Sequence, residues 1–440
     1  MEVPGQLQGF SKLGREDQVK LVASFTDDPS GIIQELDAHL SQDGTRQKLY
    51  QEFSENSVSN FFLPYSIAPN FRINDKYYLI PMVAEESSVV AAAASAAKFW
   101  SDKGGFHTRI STMQKPGHIH FTWKGGTPEI STLITDLTPG FYQVTSRLTR
   151  RMNQRGGGIM EINLKDLTDQ MEGYYQLEVI FETADSMGAN FINSCLEQMA
   201  DFLHQQVQLA GLTGRLEIIM SVLSNYSPGC TVECRVNCSV GEMAHLEYNL
   251  GGMEFCRKFE TAVNMAKHDV YRAVTHNKGI YNGVDAVVIA TGNDFRAVEA
   301  DGHAYASRNG RYCGLTDVEV SQDSFNCRIE IPITIGTVGG LTGLHPLAAV
   351  SLKILGNPHA PELMSIVAAA GMASNFSAIR ALITGGIQKG HMKLHLSNVL
   401  NQFHASDKEK LAAMEYFNNR AVSFSAVEDF LTNLRTRLEK

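Results

Sequence analysis

Four ionisable side chains stand out in this sequence because together they could transfer protons and stabilise negative charge. They are Glu86 in EESS, Lys278 in HNKG, Asp294 in TGND and His391 in QKGH. A lysine in an apolar setting can stabilise a developing oxyanion, and a carboxylate or an imidazole can pass a proton. Lys278 and Asp294 bracket an almost uncharged, glycine-containing run. The sequence therefore favours an oxyanion-stabilising lysine with a carboxylate within reach.

Each of these residues also has an ordinary structural interpretation. Glu86 could lie at a helix N-terminus, where acidic residues are favoured. Lys278 could be a surface lysine, and Asp294 could be the N-cap of the following helix. His391 could be a solvated histidine, a catalytic group on a movable terminal segment or, with His395, part of a metal site. No acidic residue lies between the two histidines and no third ligand stands out, so the sequence predicts no metal centre.

The elements that must position these residues can be read from periodicity. We expect a hairpin at Asn74–Asp75, followed by an alanine-rich helix that begins at Ser87 or Ser88 and ends at Gly104–Gly105. The run VDAVVIATG fits a buried strand or a buried helix. We favour a helix because its polar residues do not alternate.

The segment from His118 to Asn225 has a pattern of its own. In chain order, it predicts a strand at 119–123, a helix at 128–154 interrupted at Pro139–Gly140, strands at 162–164 and 175–181, a helix at 187–209 and a strand at 216–223. The order β-α-β-β-α-β is that of the split βαβ, or ferredoxin-like, arrangement.

Composition narrows the function classes. The chain has 440 residues and a formal charge of -9, which argues against a nucleic-acid-coating protein, because such a protein needs a basic face. Its longest apolar runs are far shorter than the ~20 residues of a membrane span, and no signal peptide is recognised. We therefore expect a cytoplasmic protein that binds neither nucleic acid nor membrane. Cys230, Cys234 and Cys238 lie along a predicted strand with one buried face, which favours buried reduced thiols over zinc ligands.

Two features could bind a nucleotide, although neither a GxGxxG nor a Walker motif is present. The stretch TSRLTRRMNQRGGG places Arg147, Arg150, Arg151 and Arg155 before a triple glycine, where backbone can approach a pyrophosphate closely. The stretch DSMGAN, residues 185–190, opens a predicted helix whose N-terminus is a ready anion site. The arginines could instead form a solvated helix face.

Longer blocks of the sequence, taken in order, resemble class II, bacterial-type 3-hydroxy-3-methylglutaryl-CoA (HMG-CoA) reductases. The blocks are PMVAEESSVVAAAAS, DSMGAN, YRAVTHNKGIYNGVDAVVIATGND, RAVEADGHAYA, VGGLTGLHPLAAVSLKILG and GIQKGHMKLH. The resemblance runs from about Glu55 to His395 and continues more weakly towards both ends. The resemblance implies that two hydride transfers from NAD(P)H reduce the HMG-CoA thioester to mevalonate, with release of coenzyme A, for isoprenoid biosynthesis.

The resemblance also implies a role for each matching residue. Glu86 looks like the catalytic acid, and Lys278 resembles the residue that polarises the thioester carbonyl and later the aldehyde. Asp294 matches the partner that ties lysine and glutamate into one hydrogen-bonded network, and His391 is similar to the group that protonates the departing thiolate. Substrate contacts are implied for Ser88, Arg272, Thr275, Asn282 and, as a supporting hydrogen bond, Asn225. Cofactor contacts are implied for Asp185, Met187, Gly188 and Asn190.

Two departures from the family pattern bear on specificity. Members commonly carry ENVIG where this chain has ENSVSN at 55–60, and we expect this change to alter the substrate edge. NAD-using members carry an aspartate seven residues before the triple glycine, but that position here is Thr149, flanked by Arg147, Arg150 and Arg151. Guanidinium groups without a carboxylate accommodate a ribose 2′-phosphate, so we expect NADPH to be preferred, with NADH as the alternative donor.

The resemblance further implies an α+β fold. A large helical domain for HMG-CoA binding and dimerisation (1–112 and 225–384) is interrupted by a small ferredoxin-like NAD(P)-binding domain (113–224), and a helical C-terminal flap (385–440) follows. Family members form homodimers with the active site at the subunit interface, often in larger assemblies. Other hypotheses are an acyl-CoA-binding homologue without turnover, a hydrolase of CoA thioesters, and the same enzyme working oxidatively on mevalonate.

Overall fold

The computed structural model describes residues 7–245, 250–384, 396–397, 399–417, 420 and 422–438. The chain divides into two units, 1–64 and 65–440. A short 3-10 helix (Phe10–Lys12) opens the first unit. The helices of the first unit are α1 (Arg15–Ala23), α2 (Pro29–Ala38) and α3 (Gly44–Gln51).

The departing segment ENSVSN lies in this first unit and bonds to its helices and to the residue that follows α2. Asn60 Nδ2 donates to the carbonyl of His39 at 2.9 Å and to Gln47 Oε1 at 2.7 Å. Ser59 Oγ donates to the carbonyl of Leu36 at 2.7 Å. The polar side chains that replace the family pattern therefore hold α2 and α3 together.

The second unit contains the remaining elements. Its strands are β1 (Tyr65–Ile73), β2 (Lys76–Val83), β3 (His107–Ile110), β4 (Gln114–Trp123), β5 (Gly158–Asp166), β6 (Tyr174–Glu182), β7 (Leu216–Leu223), β8 (Thr231–Ser239), β9 (Thr316–Val320) and β10 (Ser324–Pro332). Its α-helices are α4 (Val89–Ser101), α5 (Thr127–Asn153), α6 (Ala189–Leu209), α7 (Gly252–His268), α8 (Val270–Ala290), α9 (Phe295–Ala306), α10 (Leu341–Leu344), α11 (Pro346–Ile354), α12 (Ala360–Ile383), α13 (Asp407–Tyr416) and α14 (Phe424–Leu438). A 3-10 helix, Val240–His245, follows β8.

The predicted hairpin at Asn74–Asp75 is confirmed. Strands β1 and β2 pair antiparallel, with Ile73 opposite Lys76. Both turn residues have positive φ, 46° for Asn74 and 67° for Asp75, which asparagine and aspartate tolerate better than most residues. The hairpin leads directly into the turn before α4.

One four-stranded sheet has the order β5-β6-β4-β7, and all of its neighbouring strands are antiparallel. The chain runs β4-α5-β5-β6-α6-β7 through it. The predicted break at Pro139–Gly140 is wrong, because α5 is continuous and contains Pro139. A Cβ on Gly140 would lie 2.3 Å from the ring of Phe202 on α6, so this glycine allows α5 and α6 to pack closely. That packing offsets the free-energy cost of a proline inside α5.

The helix interpretation of VDAVVIATG is also confirmed, since its first seven residues, 284–290, form the end of α8. Helix α8 packs against α12 at a very short distance, because glycines replace side chains on both sides. A Cβ on Gly283 would lie 2.2 Å from the carbonyl of Ala370, and one on Gly371 would lie 2.8 Å from Val284. This close contact fixes α8 in the core beside the sheet β3-β8-β10-β9.

Helix α12 is long and apolar enough to cross a membrane by length and composition, but 72% of its apolar window is buried inside the protein. It therefore fits the core helix of a packed domain. The predicted cysteine strand is confirmed as β8, in which Cys234 is buried and Cys238 is partly buried. Cys230, directly before this strand, is also buried, and all three thiols are free.

Candidate functional site

A cleft of about 480 Å³ lies between the N-terminus of α4, one face of α8 and the C-terminal half of α12. Its walls are formed by Glu86, Ser87, Ser88, Val89, Ala92, Arg272, Thr275, His276, Lys278, Gly279, Asn282, Ser374, Asn375, Ser377, Ala378, Ile379, Ala381 and Leu382. Two predicted catalytic residues and four predicted substrate contacts therefore meet in one cavity.

The predicted lysine and glutamate are in direct contact at this cleft. Lys278 Nζ donates to Glu86 Oε2 at 2.7 Å. The two side chains are 59% and 46% exposed, so Lys278 is not the buried ammonium that the sequence favoured. The pair is therefore open to a ligand that enters the cleft.

The turn before α4 holds Glu86 and Ser88 at this position. Ser88 takes the N-cap position of α4 with a left-handed backbone, φ 73°, which is unfavourable for a residue with a Cβ. Its hydroxyl donates to the carbonyl of Ser87 and does not cap the helix. Strain of this kind, of order 1 kcal/mol, is commonly found at ligand-binding turns.

The residues on α8 follow helical spacing. Arg272, Thr275, Gly279 and Asn282 are separated by three, four and three positions, so they lie on one face of the helix with Lys278 beside them. This face is directed into the cleft, while the opposite face packs in the core. A cation, a hydroxyl and an amide along one wall can bind a carboxylate and a neighbouring hydroxyl group.

Asp294 has different partners from those predicted. Its carboxylate caps α9, accepting from the backbone N–H groups of Arg296 at 3.0 Å and Ala297 at 3.3 Å. Arg296 also pairs with it through Nε at 3.0 Å and Nη2 at 2.8 Å. Burial acts to raise the pKa of Asp294, but the bonds and charge of Arg296 and the bond from the Ala297 N–H outweigh it and lower this pKa. Within the described ranges no ion pair joins Asp294 to Lys278, so the cap interpretation holds for this conformation.

A buried polar network behind the cleft was missed by sequence reasoning. His276 Nε2 is 2.7 Å from Thr316 Oγ1, which donates to Asn375 Oδ1 at 2.9 Å. Asn375 Nδ2 in turn donates to the backbone carbonyl of His276 at 3.1 Å. Burial lowers the pKa of His276 to about 3, helped by the charges of Arg272 and Lys267, so this imidazole is neutral. The network ties α8, β9 and α12 together, and its only signal in the sequence was that His276 is the first residue of HNKG.

The segment predicted to hold the cofactor, 185–190, is tied to α12. Asp185 Oδ1 accepts from the N–H of Ala360 at 2.8 Å, and its Oδ2 is 2.8 Å from His359 Nδ1. Burial acts to raise the pKa of Asp185, but these two partners outweigh it and lower this pKa. The carboxylate therefore caps α12.

Gly188 and its neighbours fit a phosphate group or another anion. Gly188 has φ 93°, and a Cβ there would lie 2.5 Å from Thr183, so this turn requires glycine. It directly precedes the 21-residue helix α6, whose first turn carries the exposed Asn190. Free backbone N–H groups at such a helix N-terminus bind anions. Met187 lies beside it and is partly buried.

The arginine side chains near the end of α5 and the Thr149 side chain differ in exposure to solvent. Arg147, Arg150 and Arg151 are exposed on the last turns of α5, whereas Thr149 is only 5% exposed. Thr149 packs inward on this side of α5, and its contact with the cofactor stays a prediction. The triple glycine then joins β5 beside the end of β6, where Gly158 is paired with Glu182.

Among the described residues, the predicted Asn225 and Asp294 do not line the cleft. Asn225 is exposed in the connection between β7 and β8. His391 lies outside the residues that the structure describes. Their roles stay predictions.

Comparison with known proteins identifies the class to which this fold and cleft belong. The family model described as hydroxymethylglutaryl-coenzyme A reductase matches residues 20–396. The chain is 36% identical over 396 residues to the 3-hydroxy-3-methylglutaryl-coenzyme A reductase of Archaeoglobus fulgidus, covering 90% of this chain and 86% of that one. It is 35% identical to a probable reductase of Borreliella burgdorferi, with 84% of each chain covered.

A solved structure agrees. The class II reductase of Streptococcus pneumoniae, bound to NADPH in open conformations, superposes with a TM-score of 0.71 at 32% identity and covers 86% of this chain and 99% of that one. The chain belongs to the hydroxymethylglutaryl-coenzyme A reductase family. Its function is the reduction of HMG-CoA in the mevalonate pathway.

Proposed function

We propose that the chain uses Glu86, Lys278, Asp294 and His391 to reduce HMG-CoA to mevalonate, with NADPH as the preferred donor. The observation that carries this proposal is the 2.7 Å contact between Lys278 Nζ and Glu86 Oε2 in the cleft. A cation and a carboxyl group at one point suit a carbonyl oxygen that first gains negative charge and then takes up a proton.

Each residue has one task in this proposal. A bound nicotinamide would supply one hydride to the thioester carbon and, in a second round, one to the aldehyde carbon. Lys278 stabilises the charge on the oxygen both times. When the first adduct collapses, the carbon–sulfur bond breaks and His391 protonates the departing sulfur. Glu86 delivers the proton that turns the final alkoxide into the alcohol.

Asp294 is proposed to tie Lys278 and Glu86 into one hydrogen-bonded network, which requires its carboxylate to turn away from Arg296. Arg296 is 77% exposed, and exposed ion pairs contribute at most about 1 kcal/mol. A bound substrate that orders Lys278 supplies enough interaction energy to reverse this preference. The N–H groups of α9 can take water in exchange.

The remaining predicted contacts fit around this centre. Arg272 is proposed to bind the carboxylate of the substrate, and Ser88, Thr275 and Asn282 its hydroxyl region, with Asn225 in support. Residues 113–224 are proposed as a ferredoxin-like cofactor domain in which Asp185, Met187, Gly188 and Asn190 hold the nicotinamide cofactor. Arg147, Arg150 and Arg151 are proposed to bind the 2′-phosphate, since their exposed guanidinium groups suit a phosphate.

The proposed architecture follows the family. Residues 1–112 and 225–384 form the large domain, residues 385–440 the flap, and two copies pair as a cytoplasmic homodimer. The large exposed apolar side chains of α11, Leu347, Val350 and Ile354, support an interface between copies, because they form one stripe at three- and four-residue spacing.

The test is a steady-state assay of the purified chain with HMG-CoA and either NADPH or NADH, with mevalonate measured as product. We expect two nicotinamides oxidised per mevalonate and a higher kcat/KM with NADPH. Arg150→Gln and Arg151→Gln should lower kcat/KM for NADPH while leaving that for NADH nearly unchanged. HMG-CoA binding without turnover would refute the catalytic proposal, and equal use of both donors would refute the preference. Efficient oxidation of mevalonate with little reduction would instead favour the degradative direction.

A further inference from the structure

Lys115 is a buried ionisable side chain that the proposed mechanism leaves unused. It lies on the core face of β4, together with the apolar residues Ile119, Phe121 and Trp123, and it is only 2% exposed. Placing a lysine there costs several kcal/mol unless its ammonium group is well hydrogen-bonded. Its partners therefore indicate what it does.

Both recorded acceptors of Lys115 belong to the turn that follows β6. The ammonium group donates to the hydroxyl of Thr183 and to the carbonyl of Ser186, the latter at 3.0 Å. The Thr183 hydroxyl also donates to the Ser186 carbonyl, at 2.6 Å. Thr183 is fully buried and is the residue against which the bare Cα of Gly188 packs. Lys115 thus supports this turn from the inside of the sheet.

The same turn is held on its other side by the segment after β10. The carbonyl of Asp185 accepts from the N–H groups of Thr337 at 2.8 Å and Val338 at 3.2 Å. A Cβ on Gly336 would lie 2.4 Å from the N of Met187, so the two backbones touch. The turn 183–188 is therefore clamped between Lys115 and residues 336–338.

This clamp reaches the catalytic half of the molecule. The N–H of Gly336 donates to Asn293 Oδ1 at 2.8 Å, and Asn293 directly precedes Asp294. A continuous series of contacts thus runs from Lys115 through the turn 183–188 to the residue beside Asp294. Displacement of the turn would move the N-terminus of α6 relative to the cleft.

We propose that Lys115 is a positioning residue for hydride transfer, which fixes the turn 183–188 so that the N-terminus of α6 meets the nicotinamide cofactor. The proposal rests on the proposed function, in which this segment binds NAD(P)H. Lys115 itself does not touch substrate or cofactor. It acts through the Ser186 carbonyl and the Thr183 hydroxyl.

The experiment replaces Lys115 by methionine, which has a similar length and no hydrogen-bond donor. We expect Lys115→Met to raise the KM and the Kd for NADPH about tenfold or more, because small displacements of a binding segment have large effects, while the KM for HMG-CoA stays within about twofold. Lys165→Met is the matched control: it removes an exposed lysine of the same sheet that pairs with Glu178, and it should leave both constants unchanged.

Thr183→Val provides an independent second variant, since it removes the hydroxyl between Lys115 and Ser186 and keeps the shape of the side chain. It should weaken NADPH binding in the same direction. The effects of Lys115→Met and Thr183→Val should be less than additive in the double variant, because both break one network. If Lys115→Met does not fold, Thr183→Val with its Kd for NADPH decides the matter.

Unchanged NADPH binding in a folded Lys115→Met protein, or in Thr183→Val, would overturn the proposal. Equal rises of both KM values together with a lower Tm would also overturn it, because that is the result of general loosening. Asn190→Ala separates this outcome from failure of the proposed cofactor site. If Asn190→Ala leaves NADPH binding intact, the cofactor lies elsewhere, whereas weakened binding in Asn190→Ala but not in Lys115→Met refutes only the role of Lys115.

Discussion

Replacing Lys278 by methionine should separate the catalytic role of the pair from its structural role. Lys278 and Glu86 are 59% and 46% exposed, and exposed ion pairs contribute about 0.2–1 kcal/mol to stability. Loss of a donor to a developing oxyanion costs about 3–4 kcal/mol in the transition state, which corresponds to a 10²–10³-fold fall in kcat. We therefore expect turnover to fall at least a hundredfold while Tm changes by only a few degrees.

The assay compares kcat for HMG-CoA reduction with thermal unfolding of the same protein. Lys258→Met is the matched control, because Lys258 is 48% exposed and pairs with Glu254 at 3.1 Å on α7, away from the cleft. It should lose the same small amount of stability and keep full activity. A Lys278→Met protein that retains more than about a tenth of the wild-type rate would refute the reasoning, since the lysine would then supply less than about 1.4 kcal/mol.

Three further predictions follow from particular contacts. Burial, followed by the hydrogen bond and charge of Glu299, raises the pKa of Asp285 to about 8. The stabilising effect of protonated Asp285 is therefore present below pH ~4 and is lost as the pH rises towards 8, so Tm should fall across that range. Asp285→Asn should flatten this fall, measured in thermal melts at a series of pH values. Asp294→Asn keeps an N-cap for α9, so it should lower Tm by little. It removes the proposed carboxylate, so kcat should fall by at least about tenfold. An unchanged kcat would leave Asp294 with only a structural role. Gly188→Ala places a Cβ against Thr183 at φ 93°, and should lower Tm and weaken NADPH binding, measured by titration, while HMG-CoA binding is retained.

The elements with strong periodicity could be predicted from the sequence. Strand β4 was found because Ile119, Phe121 and Trp123 alternate with polar residues, and the structure buries all three. Helix α8 was favoured only by the absence of alternation, and the glycines that permit its contact with α12 gave no separate signal. Pro139 was overestimated as a helix breaker, because packing of α5 on α6 overrides local propensity.

The sequence predicted some of the residues that line the cleft but not their contacts with other elements, and the reason is physical. Residues on one element, such as Thr275, Lys278 and Asn282, share a face by helical spacing alone and could be grouped in advance. Asp294 could pair with either of two basic residues, Arg296 or Lys278, and sequence spacing does not indicate which one it contacts. The network of His276 depends on Thr316, which comes from a distant strand. Such contacts follow from tertiary packing and leave no local pattern.

In the proposed mechanism, the exposure of Lys278 means that its stabilisation of the oxyanion depends on what fills the cleft. Two unit charges 4 Å apart interact by about 1 kcal/mol in water and by about 4 kcal/mol at the lower effective dielectric constant near a protein surface. With water filling the open cleft, the lower of these two values applies, and it falls short of the roughly 3 kcal/mol expected of an oxyanion donor. The apolar side chains of Ala92, Ile379 and Leu382 line the same cavity, so a bound substrate displaces water from both its own oxygen and the ammonium group. Binding energy from the distant parts of HMG-CoA must provide this displacement, which makes the strength of Lys278 a property of the filled cleft.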